Sequence, residues 1–554
     1  MDTRIKDLIA QGDALFSKRS TLMSFWQESA ENFYPERADF TVTRTMGDSF
    51  ADNLDTSYPI MARRELGNTF SAMLRPSEKD WFKVGTMMEV ERDSEEARRA
   101  LEKFTRIQRR AMYDRDACFN RATKEGDNDY AAFGNAVISA EFDVLNMSML
   151  YRCWHLRDVV WGETYNGKTC PVHRKWKPSA VDLAKRIFPG KVHAKVTELL
   201  SKTPLQEVNC RHIIVKSDEY DPPAGKKKWL QPYVSIHIDV ENQHVMEEKG
   251  SWVNPYIIPR WQTVSGSQYA YSPAVVAAMP DARLIQAMTY TLLTAGEMAV
   301  NPAMIGVQEA LRSDLNVYPG GFTSVDADYD ERLGEVLRPL SHDSRGIPLG
   351  MEMARDLRSL IAEAFFLNKI NLPQRTGDVT AYEVSQMVQQ YVRGALPLFE
   401  PMESDYNGAL CEVTFEILMR QGAFAPMDAN GQPDIPDILR GKDIQFSFEN
   451  PLRSAAEASK GQLFMQAKEL MAQAAPLDPT AVQMVDAAAA LRDALHGIGT
   501  PSEWMRDEAQ MEQIRATEAQ AKQAQAILSQ VSQGAEIAKQ VGDAGQSMTN
   551  SGMM

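Results

Sequence analysis

Cysteine is scarce in this chain: five residues in 554, at positions 118, 153, 170, 210 and 411. So few, and odd in number, they build no disulfide framework, and reduced thiols in a cytosolic compartment are expected. Long apolar runs are missing as well. No window holds about 18 uninterrupted apolar residues, so no membrane span is expected. The opening MDTRIKDLIAQGD has no apolar stretch behind a basic start, so no secretory signal is expected. Positive charge is in deficit, with a net charge of −15. A chain that holds DNA tightly displaces counterions with a basic footprint; this chain as a whole lacks one. Neither HExxH, nor a nucleophile elbow, nor a glycine-rich dinucleotide fingerprint occurs. No catalytic residue, cofactor or metal is therefore expected.

What is present is unevenly placed. Residues 166–230 hold 14 Lys/Arg against 6 Asp/Glu, whereas residues 301–344 hold 3 Arg against 8 Asp/Glu. Ile5, Leu8, Leu15, Leu22, Trp26 and Phe33 recur at helical spacing and predict one amphipathic helix over 4–33, ended by Pro35. Helices are also expected over about 56–74 and 93–125. From Val137 to about 265 the β-branched and aromatic content predicts a strand-rich block. Ser272-Pro273 reads as an N-cap with proline at the first helical position, opening a helix with Leu284, Ile285, Met288, Leu292 and Ala295 on one face. A second helix resumes near 347, striped by Met353, Leu357, Leu360, Ile361, Ala364 and Phe365. Thr380 and Glu383 form a capping box, so another helix starts at 381. Between these two helices stands the polar stretch Asn371–Val379. A short strand is expected at 444–450, helices over about 453–498, and a frayed, Ala/Gln-rich end.

Two motifs could carry chemistry. GETYNGKT, Gly162 to Thr169, matches the phosphate-loop pattern letter for letter. A phosphate loop needs a helix opening at its lysine, but the following CPVHRKW reads as a strand, and Asn166-Gly167 is better explained as a hairpin turn. Cys153, His155, Cys170 and His173 flank the same hairpin and could converge on zinc only if their strands paired in register. The basic turn Gly225-Lys226-Lys227-Lys228 reads as a solvated loop tip, with phosphate or partner contact as the alternative.

FWQESAENFYPERADF and DNLDTSYPIMARRELGNTFSAMLRPSEKDWFKVG resemble the N-terminal region of portal, or head-to-tail connector, proteins of short-tailed (podovirus-type) bacteriophages. The residues that carry this are Tyr34-Pro35, Leu74-Arg75-Pro76 and Trp81-Phe82, together with the order of elements down to about residue 450. The resemblance implies an α+β, mainly helical portal fold assembled as a ring. It divides the chain into a wing (1–265), a first stem helix (266–300), a clip (301–344) and a second stem helix (345–370). A tunnel loop (371–380), a long kinked helix with a returning wing or crown strand (381–450), a helical crown (451–500) and a polar tail (501–554) follow.

The implied function is a ring, typically of twelve subunits, at one capsid vertex of a virion assembled in the host cytoplasm. It would pass double-stranded DNA during packaging and ejection. Terminase would dock on it, then tail adaptor and nozzle proteins, with scaffolding and major capsid proteins as further partners and no membrane. Asn371, Gln374, Arg375, Thr376 and Asp378 would line the channel. Asp326, Asp328, Asp330, Glu331 and Glu335 would form an acidic collar on the clip. The competing readings are an NTPase built on GETYNGKT and a tail adaptor or other virion assembly protein.

Overall fold

The computed structural model describes residues 3–306 with short breaks (46, 53, 78–79, 88–93 and 223–226), then 337–339, 346–370, 401–424, 435–448, and parts of 461–523. The chain divides into two units. One comprises residues 1–83, 105–434 and 446–452; the other comprises 84–104, 435–445 and 453–554. In the second unit the helix α10 (Ala487–Gly497) and a helical stretch over 464–473 fall within the predicted helical region.

In the first unit the single helix expected over 4–33 is two, α1 (Thr3–Lys18) and α2 (Ser20–Phe33). The break falls at Arg19, and the reason is tertiary. The Arg19 guanidinium is buried and donates to the carbonyls of Leu156 (2.7 Å), Val159 (2.8 Å) and Arg157. Satisfying three carbonyls compensates a charge that burial alone would make costly. Helix α3 (Tyr58–Leu74) is as predicted. The charged helix expected over 93–125 is again interrupted, giving α4 (Glu95–Met112) and α5 (Phe119–Phe133). Between them Asp114 caps a short turn by accepting from the Asp116 amide, and Cys118 adopts a left-handed backbone.

The strand-rich block forms two sheets. Strands β2 (Ile138–Asp143) and β3 (Ser148–Cys153) make a hairpin joined on the other edge by β9 (Tyr256–Ile257). Strands β4 (Val159–Glu163), β5 (Thr169–Trp176), β6 (Cys210–Lys216), β7 (Tyr233–Asp239) and β8 (His244–Ser251) form an antiparallel meander. The sequence did not announce the helical insertion between β5 and β6, which includes α6 (Ala194–Lys202). Leu183, Phe188 and Val196 bury against Cys210 and Met246 there. Trp26, Phe133, Leu156, Trp161, Val172 and Tyr269 form the core between α2, α5 and the five-stranded sheet.

The motif residues behind the resemblance are core anchors. Arg63 lies 3.8 Å from the Tyr34 ring centroid and donates to the Phe33 carbonyl. Trp81 and Phe82 are fully buried, and the Trp81 indole donates to the Tyr113 hydroxyl (3.0 Å). Arg75 is buried against Asp127. Strand β12 (Ile444–Phe448), as predicted, pairs with β1 (Phe82–Thr86). The long helix expected beyond 381 lies outside the described residues up to 400. Past Pro401 a π-helical turn (Glu403–Gly408) buries Tyr406 and Asn407 and runs into α9 (Ala409–Arg420).

Candidate assembly surface

Helix α7 (Pro273–Val300) has the predicted start: Ser272 Oγ accepts from the Val275 amide (3.3 Å), and Pro273 occupies the first helical position. Its first half is seated in the body of the unit, with Ala274, Val275, Ala278, Met279, Ala282 and Ile285 buried. Gln286 fixes the last seated turn. Its Oε1 accepts from the Asp55 and Thr56 amides (2.8 and 2.9 Å), and its Nε2 donates to the Thr56 carbonyl (3.1 Å). A glutamine on an apolar helix face was the signal in the sequence for this anchor.

Beyond Gln286 no residue of α7 is buried, although the sequence stays apolar and carries no charge until Glu297. Tyr290 is 63% exposed, Leu293 56% and Val300 88%. Thr289, Thr291 and Thr294 return their hydroxyls to the carbonyls four residues back, at 2.7–3.0 Å. These threonines are thereby satisfied without water, which suits them to burial.

Helix α8 (Gly346–Ala364) packs on α7. The approach is closest at Gly350, where a Cβ would stand 2.7 Å from Leu292 Cδ2, so the absence of a side chain sets the spacing of the pair. Of the predicted stripe, Leu357, Ile361 and Phe365 are buried, whereas Met353 and Leu360 are exposed together with Leu349 and Met351. On α7, Ile285 is buried but Leu284 is exposed. The two helices therefore show open apolar flanks that their own packing does not consume. Beyond α7, β10 (Met304–Gly306) and β11 (Leu337–Pro339) pair antiparallel and close the base of the 301–344 segment.

Asn371, Gln374, Arg375, Thr376 and Asp378 lie outside the described residues, as do Asp326, Asp328, Asp330, Glu331 and Glu335. The phosphate-loop pattern is placed. Glu163 pairs with Thr169, the Thr164 amide donates to the Lys168 carbonyl (2.9 Å), and Gly167 makes the turn at φ +77°. No helix opens at Lys168, so these amides do not converge on a phosphate. The zinc alternative fails on topology: Cys153 sits in the three-stranded sheet, Cys170 and His173 in the five-stranded one. Cys153 donates toward Asp129 and His155 pairs with Asp39 (2.6 Å). Among the described residues no group of His, Cys, Asp and Glu could hold a metal ion, and no helix is long and apolar enough to cross a membrane.

The chain is thus a mixed α/β body bearing a helix pair with open apolar flanks, and its phosphate-loop-like motif is taken up by a hairpin. The chain belongs to the bacteriophage head to tail connecting protein family, whose model matches residues 6–505; it is a phage portal or head–tail connector protein. It is 22% identical over 475 residues to a probable portal protein of Bordetella phage BPP-1, covering 82% of this chain and 80% of that one. A portal protein of Salmonella phage epsilon15 is 21% identical over 263 residues, 46% of this chain and 45% of that protein, so this match spans under half of the relative. Solved chains from a native gene transfer agent virion and from the neck of an empty gene transfer agent particle align at TM-scores of 0.36 and 0.37. They are 10% and 9% identical and cover 75% and 74% of this chain and 86% of each of theirs.

Proposed function

We propose that this chain is the portal subunit of a short-tailed phage. It assembles with about twelve copies into a ring at one capsid vertex and forms the conduit for DNA packaging and ejection. The observation that carries this reading is the open apolar flank of α7 and α8. A solitary subunit would leave Tyr290, Leu293, Leu349 and Met351 in water, and exposed apolar surface of this kind marks an interface. A ring of identical copies covers it with the same helices from neighbours. At about 1.5 Å per residue, α7 is about 40 Å long, enough to line a channel. A Leu293→Asp variant is expected to reduce ring formation at least tenfold, scored by electron microscopy and sedimentation of the full chain, with the monomer still folded. Wild-type rings from this variant would overturn the assignment.

In such a ring the tips of the helices expected over 347–370 and 381–396 point inward, and Asn371–Val379 becomes a constriction around the duplex. One Arg375 and one Asp378 per copy give a near-neutral collar. This suits transient contact, because each added phosphate contact deepens the hold on DNA. Deleting 372–379 is expected to leave rings intact while DNA packaging or retention falls. Loss of the rings themselves would make the loop an assembly contact instead. The acidic 301–344 segment would present Asp326, Asp328, Asp330, Glu331 and Glu335 to basic segments of terminase, and later of tail proteins. The basic 166–230 block would face coat or scaffolding protein, or the packaged genome. The tail-adaptor reading separates from this one in the microscope: an adaptor needs a partner to form rings.

A further inference from the structure

The hairpin of β2 and β3 ends in an apolar tip that its own unit leaves in water. Val144 is 71% exposed, Leu145 79% and Met147 71%. The tip is nonetheless built. Asp143 Oδ1 accepts from the Leu145 amide and its Oδ2 from the Asn146 side chain, both at 2.9 Å. Met147 holds a left-handed backbone at φ +51°, which a residue with a side chain adopts at a cost. The tip is flanked by the carboxylates of Glu141 and Asp143.

The same unit also holds a cavity of about 460 Å³, lined by Lys18, Thr21, Leu22, Phe25, Tyr269 and Tyr271. That volume accommodates a small-molecule-sized body. The cavity belongs to the base of the hairpin. Tyr269 packs in the core with Val137, the residue before β2, and with Leu156, just after β3. From Ile138 to Asp143, β2 carries the tip away from that core by about 17 Å at roughly 3.3 Å per residue. A tip so held does not fold back into its own unit's cavity. Its charge also suits that cavity, with carboxylates at the tip and the Lys18 ammonium at the rim.

We infer that Val144, Leu145 and Met147 of one copy dock in the Leu22, Phe25 and Tyr271 cavity of the next. The inference rests on the ring reading and deepens it. A projection and a receptor on two different patches of one subunit make a head-to-tail contact, the kind that closes into a ring when the rotation allows. It is independent of the α7 and α8 flanks and gives each subunit a second lateral joint.

The test is a disulfide trap in the full-length chain. In a Cys118→Ser background, since Cys118 is a free exposed thiol, a Leu145→Cys, Thr21→Cys double variant is oxidised with copper phenanthroline and run without reductant, beside the background chain and both single variants. A ladder of covalent multimers is expected in the double variant only. A Leu145→Asp variant is expected to lower ring yield at least fivefold with an unchanged thermal midpoint, since the Leu145 side chain is largely exposed within its own unit. Rings seen by microscopy without a ladder would overturn this contact and leave the ring reading standing, as would cross-linking by Leu145→Cys alone, which would indicate tip meeting tip. Wild-type ring yield from Leu145→Asp would show that the tip serves another partner. Absence of rings in wild type would sink the ring reading itself.

Discussion

Arg75→Ala is expected to cost the first unit about 3–5 kcal/mol, the usual consequence of removing one partner from a buried ion pair. Arg75 follows the last residue of α3, and its side chain is almost wholly enclosed. One terminal nitrogen pairs with Asp127 on α5; the other donates to Asn407 Oδ1 at 2.7 Å, and the Tyr406 ring lies 4.6 Å away. Burial works against the guanidinium charge, but Asp127 and Tyr406 together offset it, so the Arg75 pKa is raised; burial likewise raises the Asp127 carboxyl, against the pull of Arg75. The arginine thus ties together three segments separated by 52 and 332 residues in sequence. Truncating it leaves the Asp127 carboxylate without its cation. Arg75→Lys keeps the charge but loses the planar fork that reaches Asp127 and Asn407 together, and is expected to fall between the two. The check is the urea or thermal midpoint of the full chain. Arg75→Met combined with Asp127→Leu should recover more than half of the loss, because no buried charge is then left alone. A midpoint for Arg75→Ala within a degree of wild type would contradict this account.

Arg75 also shows how much of the fold could be read in advance. Leu74-Arg75-Pro76 was visible as a motif, but its physical role, a buried cross-link to residues beyond 400, was not, because nothing local distinguishes it from a surface arginine at a helix end. Signals completed within a few residues were legible. Ser272-Pro273 opens the 28-residue α7, and Asn166-Gly167 makes the β4–β5 turn. Failures came where a distant segment decides. The break at Arg19 is imposed by carbonyls 137–140 residues away. Likewise β1 is a strand in company with β12, some 360 residues on. The apolar residues of α7 were legible as one face, Leu284 to Ala295. Only the structure shows that burial stops at Gln286, since periodicity reports that a face is apolar and not what covers it. The same limit applied to the candidate site. Arg375 and Asp378 were singled out through the resemblance, because a loop lines a channel only once copies stand in a ring.

Acid should loosen the first unit well before its carboxylates are protonated. His212 and His237 stack face to face at 3.9 Å within the five-stranded sheet. His212 is fully enclosed and bonded to Tyr256 and Ser235, and its pKa is pushed well below the usual value by burial, then by His237, Arg174 and Lys249. Partly buried His237 is lowered to about 3 by burial, Arg174 and Lys249. His173, sealed under α1 at Gly12, is lowered to about 3 by burial and Arg211, with Asp13 opposing. In the unfolded chain each imidazole takes a proton near pH 6.5. Between that value and about 3 the unfolded state therefore binds more protons, so stability is complete above about 6.5 and falls as pH drops. Each such imidazole contributes about 1.4 kcal/mol per pH unit. The two fully buried ones with part of His237 give roughly 3–4 kcal/mol per unit, enough to consume a margin of about 5–15 kcal/mol within a few units. Asp39, held low by His155 and Arg157 against its own burial, adds its loss only below the usual carboxylate range. The denaturation midpoint of the full chain should thus decline steadily from pH 6.5 toward 4.5. His237→Phe keeps an aromatic face against His212 and should flatten that decline by up to one proton's worth, while a midpoint unchanged between pH 7 and 5 would show that these imidazoles accept protons without disturbing the sheet.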